Sequence, residues 1–203
     1  MAEVAVEMIA THPKVYSVDE YLEFERDSQE RHDYIDGRIV GIRTDETDRD
    51  TGMTGGTPNH NAIALNLASE LNVALKRLPH RIFVADQRIW IPEKKMLTYP
   101  DVAVVAEELS YYGDRKDTIT NPIAIAEVLS NSTKAYDRGE KFAAYRTLPS
   151  LQEYWLVEQY SICVEQYVRT SQTQWAYSVY EEADAEIASA CLPFKCLVSD
   201  LYV

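Results

Sequence analysis

The sequence has no CxxC pair, no apolar run of membrane-spanning length and no excess of positive charge. Its three cysteines, Cys163, Cys191 and Cys196, are odd in number and scattered, which does not describe a disulfide framework and points to a reducing compartment. No histidine stands at ligand spacing beside them, so a structural zinc is a poor fit. Glu3 and Glu7 interrupt the stretch Met1 to Ala10, so it does not read as a secretory leader, and the expectation is a soluble, cytoplasmic protein. Lys plus Arg number 20 against 33 Asp plus Glu, a formal charge of -13. Long-range attraction of a polyanion is therefore excluded, and any nucleic-acid contact has to come from a local basic patch. A nucleophile elbow, a P-loop, a dinucleotide glycine fingerprint and a His-Glu-x-x-His zinc pattern are all missing, as are internal repeats.

What is there suffices for one core. With 203 residues, 46% of them hydrophobic, the chain reads as a flexible N-terminus over residues 1–16 and a single domain over residues 17–203. Ser17 and Glu20 form a capping box that predicts a helix from about Val18 to Asp27, with Tyr21, Leu22 and Phe24 available for burial. Arg31 to Arg43 alternates around Asp36-Gly37, the signal of a β-hairpin with a type I′ turn. Thr44 to Pro58 has no apolar period and reads as a mobile loop, either a spacer or a flap. Thr57-Pro58 opens a long helix in which Ile63, Leu67, Leu71, Ala74, Leu75 and Leu78 recur at helical spacing.

Three strands are predicted over Arg81 to Ile91, Thr98 to Ala106 and Pro122 to Leu129, the last two separated by a polar segment, Glu107 to Asn121. In that segment Tyr111 and Tyr112 stand beside Arg115 and Lys116, a pattern suited to stacking or phosphate contact, to a solvated connection or to a subunit contact. A helix follows from about Tyr136 to Leu148, then strands over Gln152 to Val157, Ile162 to Val168 and Trp175 to Tyr180, and a closing strand and terminal turn after Leu192. The fold class is α/β, a mixed central sheet flanked by helices with an N-terminal β-hairpin.

Two carboxylates stand out because they lie on apolar runs, Asp101 before Val-Ala-Val-Val and Glu127 within Ile-Ala-Ile-Ala-Glu-Val-Leu. Burying a carboxylate is unfavourable unless a cation accompanies it, and the partner is either a metal ion or a nearby Arg or Lys. Magnesium, which accepts one or two protein carboxylates, suits this pair, with manganese as the substitute. Asp86, also on an apolar run, is a weaker third acid in a supporting position. His60, near the start of the long helix, is placed behind the metal ligands.

Pro100-Asp101, Glu127-Val-Leu-Ser130, the run from Tyr136 to Tyr145 and Pro149 to Trp155 together resemble the Uma-type restriction endonuclease family of the PD-(D/E)XK nuclease superfamily. The resemblance extends roughly from Ser17 to the end of the chain. It implies a restriction endonuclease-like fold, a magnesium-dependent DNA endonuclease, ligation through Asp101, Glu127 and the Val128 carbonyl, and action as a homodimer. The superfamily pattern places a lysine two positions after the glutamate, where this chain has Leu129. The resemblance supplies a displaced lysine, and Lys141, early in the helix after the glutamate strand, is the candidate, with Lys134 and Arg138 as rivals and Ser130 in a supporting place. DNA contact is expected to be weak, through Arg115, Lys116, Lys134 and Arg138. The alternative is a nuclease-fold module without effective chemistry, acting as a dimeric binding or regulatory protein.

Overall fold

A computed structural model of the chain describes residues 14–41, 56–106 and 108–202. Residues 1–13 of the expected flexible start and 44–55 of the expected loop or flap lie outside the described residues. The first elements follow local chemistry closely. Helix α1 (Val18–Asp27) is capped by Ser17, whose hydroxyl accepts from the Glu20 amide at 3.1 Å while the Glu20 carboxylate accepts from the Ser17 amide at 2.8 Å. Its buried residues are Tyr21, Leu22 and Glu25; Phe24, expected inside, is 45% exposed. Strands β1 (His32–Ile35) and β2 (Arg38–Gly41) form the expected hairpin, with positive φ at both Asp36 (43°) and Gly37 (89°).

Gly37 is needed twice over, because a Cβ there would also lie 2.5 Å from Val15 Cγ1. Gly37→Ala is expected to lower stability by about 1–2 kcal/mol, read as a lower urea midpoint at unchanged slope. An unmoved midpoint would mean that the turn is not a constraint.

Helix α2 (Pro58–Leu75) is capped by Thr57, with proline in its first turn. It buries Ile63, Ala64, Leu67, Ala68, Leu71 and Leu75, whereas the expected Ala74 and Leu78 face solvent. Each buried leucine contributes about 1.5–3 kcal/mol.

The predicted strands 81–91 and 98–106 are each divided, and the reason positions the functional site. The first becomes β3 (His80–Val84) and β4 (Arg88–Ile91); the second becomes β5 (Met96–Thr98) and β6 (Val102–Ala106). At each break the chain leaves one sheet for another, at Ala85 with φ 57° and at the turn holding Pro100. Strand-forming residues on both sides of each break hide the change of sheet, even though β3 is far more exposed than β4. The Ala85 amide donates to the Asp101 carbonyl at 2.9 Å and ties the two crossings together.

The remaining strands are β7 (Tyr111–Tyr112), β8 (Arg115–Ile119), β9 (Ala124–Leu129), β10 (Glu153–Glu158), β11 (Val164–Arg169), β12 (Trp175–Tyr180), β13 (Glu186–Ala188) and β14 (Lys195–Leu197). The segment Glu107 to Asn121 thus contains a short hairpin, β7 with β8, that its polar composition hid. One six-stranded sheet has the order β2-β1-β5-β4-β8-β7, the other β12-β11-β10-β9-β6-β3, and β13 pairs with β14. In the second sheet β9 and β10 are parallel, as a strand–helix–strand crossover requires, and the other pairings are antiparallel. The helical crossover comprises α3 (Lys134–Tyr136), a π-helical stretch (Asp137–Lys141) and α4 (Phe142–Tyr145).

Strand β9 is buried along its whole length, and its alternation assigns its two faces. Ala124, Ala126 and Val128 pack with α2 and the C-terminal strands, while Ile125 and Leu129 pack with Tyr145, Leu148 and residues of the first sheet. The architecture is α/β, with two large mixed sheets and few helices.

Candidate active site

Strand β6 stops pairing with β9 at Val102 opposite Ala126. Asp101, one residue earlier, therefore sits opposite Glu127 where the ladder ends. Its Oδ2 accepts from the Val128 amide at 2.7 Å, and its own amide donates to Glu127 Oε2 at 3.3 Å. The two acids singled out in the sequence are thus locked to each other through backbone groups, at one wall of a cleft of about 330 Å³.

Glu127 lies on the face of β9 that also carries Leu129, and the crossover helix packs on that face. This explains how a leucine occupies the position expected for lysine. Lys141 Nζ descends from the helix to 3.0 Å from Glu127 Oε1 and 3.3 Å from Asp137 Oδ1. Tyr145, one turn further, donates its hydroxyl to the same Glu127 Oε1 at 2.9 Å. Lys141 is 6% exposed, so it is not a solvated helix residue. A π-helical stretch widens the helix by one residue per turn where Asp137 and Lys141 turn inward, a distortion often found at functional sites. The Tyr154 hydroxyl holds the Asp137 carbonyl at 3.0 Å.

The electrostatics are unbalanced in one direction. Asp33 from β1 is buried behind the helix, bound by the Tyr136 hydroxyl at 3.0 Å and close enough to Lys141 to feel its charge. Burial pushes the Glu127 carboxyl up to about 8, with the Lys141 ammonium opposing and the charges of Asp101 and Asp137 reinforcing the shift. Burial likewise raises Asp33. For Lys141 burial acts downward, but Glu127, Asp137 and Asp33 outweigh it and hold the ammonium well above its usual range.

His60 Nε2 lies 3.2 Å from Asp101 Oδ2. Burial would depress the imidazole, yet Asp101 and, further off, Glu127 raise it. Thr57, which caps the helix bearing His60, donates to Gln159, and Gln159 in turn donates to the Leu129 carbonyl at 2.9 Å. The histidine is thereby fixed to the end of the glutamate strand.

Six expected residues therefore line one cleft: His60, Asp101, Glu127, Val128, Ser130 and Lys141. Ser130 organises the turn before the helix, its hydroxyl within 2.9 Å of Thr133 Oγ1 and accepting from the Thr133 amide at 3.2 Å. The other three lie elsewhere. Asp86 is exposed beyond the sheet crossing and pairs with Arg31 at 3.1 Å; Lys134 is exposed and reaches Asn131; Arg138 pairs with Glu165 at 2.6 Å. Arg115 is also paired, with Asp117 at 2.9 Å, so the expected basic patch of Arg115, Lys116, Lys134 and Arg138 has two of its charges already matched. Sequence reading passed over Asp137 and Tyr145, although the spacing Asp137, Lys141, Tyr145 puts all three on one helix face. Asp33 carried no comparable signal, since only the tertiary fold brings β1 behind the helix.

Among the described residues no three His, Cys, Asp or Glu side chains form a metal-holding group, and no helix is long and apolar enough to cross a membrane. The sequence profile of the Uma2 family, described as "Putative restriction endonuclease", matches residues 18–199. Two proteins of Synechocystis sp. (strain ATCC 27184 / PCC 6803 / Kazusa) are similar to the chain, each at 36% identity. "Uncharacterized protein sll1609" aligns over 89% of this chain and 96% of its own length, and "Uncharacterized protein slr1290" over 91% and 90%. In fold the chain is similar to the crystal structure of a putative nuclease belonging to DUF820 from Anabaena variabilis ATCC 29413. That likeness has a TM-score of 0.70 at 18% identity and covers 90% of this chain and 95% of the other. With a profile match across most of its length and relatives above 30% identity, the chain belongs to the Uma2 family of putative restriction endonucleases.

Proposed function

We propose that the chain is a divalent-metal-dependent endonuclease that hydrolyses DNA phosphodiester bonds at the cleft of Asp101, Glu127 and Lys141. The observation that carries this reading is the buried Lys141 ammonium on Glu127 Oε1, in a cluster where the carboxylates of Glu127, Asp137 and Asp33 outnumber it. Acidic groups in the cluster outnumber its one ammonium, and Asp101, Glu127 and Val128 bring oxygen donors to the cleft, a set that suits a hard dication. Asp101 and Glu127 would hold it together with the Val128 carbonyl, because an extended strand turns the N–H and C=O of one residue to the same edge and the Val128 N–H faces Asp101. Two carboxylates and one carbonyl are the sparse protein ligation that magnesium accepts, with manganese able to replace it. When bound, the ion supplies polarisation of the phosphoryl group and lowers the pKa of water.

The protein's own groups then have distinct tasks. Tyr145 and Lys141 hold Glu127 Oε1, leaving Oε2 on the Asp101 side. The Lys141 ammonium orients the attacking water and offsets negative charge as it develops on the phosphoryl oxygens. His60 orients Asp101 and adds positive charge at the mouth of the cleft. The alternative, a binding or regulatory module without chemistry, leaned on Leu129 at the usual lysine position and on the acidic charge of the chain; the buried Lys141 beside Glu127 speaks against the first of these. Pairing of two copies, one for each strand of a duplex, belongs to the same proposal.

The test is thermal unfolding with and without magnesium or manganese. The ion is expected to raise the midpoint, by an amount that grows with its concentration above Kd, and Asp101→Ala to remove that protection. Equal protection of wild type and Asp101→Ala would move the ion elsewhere. Cleavage of supercoiled plasmid, with Asp101→Ala as blank, completes the test.

A further inference from the structure

A second cleft, of about 270 Å³, lies on the far side of Tyr99 from the one just described. Tyr99 is a wall of both, two residues before Asp101. Arg26, Arg31, Arg88 and Arg115 border this second cleft, in a chain where acids outnumber bases by 33 to 20. Glu25, Asp86 and Asp117 also border it, so the four arginines exceed the acids by one and make the local balance positive in an acidic chain.

Arg26 is exposed and sits 3.5 Å from Asp27, and the other three are of two kinds. Arg88 is 6% exposed and locked, with Nε on Thr118 Oγ1 at 3.0 Å, one terminal nitrogen on the Tyr99 hydroxyl at 3.2 Å and the other on Asp117 Oδ2 at 2.7 Å. A guanidinium buried and oriented in this way presents a fixed charge to the cavity. Arg31 and Arg115 have side chains 44% and 39% exposed, paired with Asp86 and Asp117, which are themselves 76% and 51% exposed. Exposed pairs of this sort are weak, so a stronger anion can take the arginines from them. The planar guanidinium fork matches the oxygens of a phosphate bidentately, as it does those of a carboxylate.

We propose that this cleft binds backbone phosphates of the nucleic-acid strand whose scissile bond lies over Asp101 and Glu127. The inference rests on the nuclease reading, and it gives the strand a direction: out of the active site, past the Tyr99 ring and along Arg31 and Arg115. Both Arg31 and Arg88 lie over that ring, at 5.6 and 5.8 Å from its centre, so the wall between the clefts is itself flanked by positive charge. Asp86 and Asp117 hold the arginines in place until phosphate replaces them. The electrostatic footprint is thus here, and not on the 134–138 helix start.

The experiment is fluorescence anisotropy of the full chain with labelled single-stranded and duplex oligonucleotides, with calcium in place of magnesium, over a series of salt concentrations. Arg31→Gln and Arg115→Gln are each expected to weaken binding roughly three- to tenfold and to flatten the salt dependence by about 0.7–0.9 in log–log slope, one phosphate contact apiece. Asp86→Asn is expected to strengthen binding by a similar factor, because it frees Arg31 and removes a repelling charge. Lys195→Gln, which breaks the remote Lys195–Glu186 pair, serves as the control for net charge. Wild-type affinity in both arginine variants would overturn the proposal. So would Asp86→Asn weakening binding as Arg31→Gln does, the result of a purely structural pair, and so would a wild-type chain that binds neither oligonucleotide. Cleavage with arginine-independent binding would sink this cleft and leave the nuclease reading; arginine-dependent binding without cleavage under any divalent ion would do the reverse.

Discussion

Lys141→Met is expected to lower DNA cleavage at least about a hundredfold, the usual order for losing one preorganised charge-stabilising group. From sequence alone the same substitution promises little effect on folding, since a lysine near a helix start is ordinarily solvated. The structure reverses that expectation. Lys141 is buried between Glu127 and Asp137, and removing it leaves two carboxylates without their cation, a loss of about 3–5 kcal/mol for a pair broken from one side. Because the folded chain holds this ammonium above its usual range, the stabilisation is fully present below the ordinary lysine pKa and is lost only as pH rises through the higher folded value. The substitution is therefore expected to harm stability most above about pH 8, where the Glu127 carboxyl has lost its proton, and less below it. Denaturant titrations at two pH values separate this from catalysis, with activity assayed below the variant's unfolding midpoint. Lys141→Arg keeps the charge but not its compact shape and should rescue stability more than rate. Full activity in a folded Lys141→Met protein would sink the assignment.

The second large effect has opposite signs on stability and function. Glu127 has its folded pKa raised to about 8, so the folded chain binds this proton more tightly than the unfolded chain does. Stability without metal should accordingly fall as pH rises from the ordinary glutamate range to about 8. Glu127→Gln removes that penalty. Its amide oxygen still accepts from Lys141 and Tyr145, while its NH2 group faces the Asp101 amide and trims the gain. The metal-free variant is expected to be more stable than wild type by on the order of 1–3 kcal/mol at pH 8 and about equal to it at pH 5. It should bind no magnesium and cleave nothing. In the wild type, metal affinity should fall about tenfold per pH unit below 8, because the ligand must first lose its proton. Calorimetry in buffers of different ionisation heat measures that proton release directly. Metal affinity independent of pH would show that Glu127 is not a ligand.

Much of this arrangement was legible before any coordinates, for identifiable reasons. Capping chemistry fixed α1 and α2, and the Asp36-Gly37 pair fixed the hairpin, because these signals lie within a few residues of what they determine. Asp101 and Glu127 were visible as charges on apolar strands. The sheet crossings at Ala85 and at the Pro100 turn were not, because strand-forming residues flank each break on both sides. Asp86 misled for the same reason: its apolar neighbours belong to two different sheets, and the residue itself falls in the exposed turn between them. The roles of Asp33 and Arg88 depend on contacts across tens of residues and had no local signature.

The hydrogen bond from the Ala85 amide to the Asp101 carbonyl joins the two places where the chain passes between sheets. Asp101 is therefore also part of a seam, and the seam closes only when strands on both sides have formed. Loosening either sheet would therefore disturb the aspartate that faces Glu127. On the nuclease reading proposed above, assembly would then serve as a lock on the cleft.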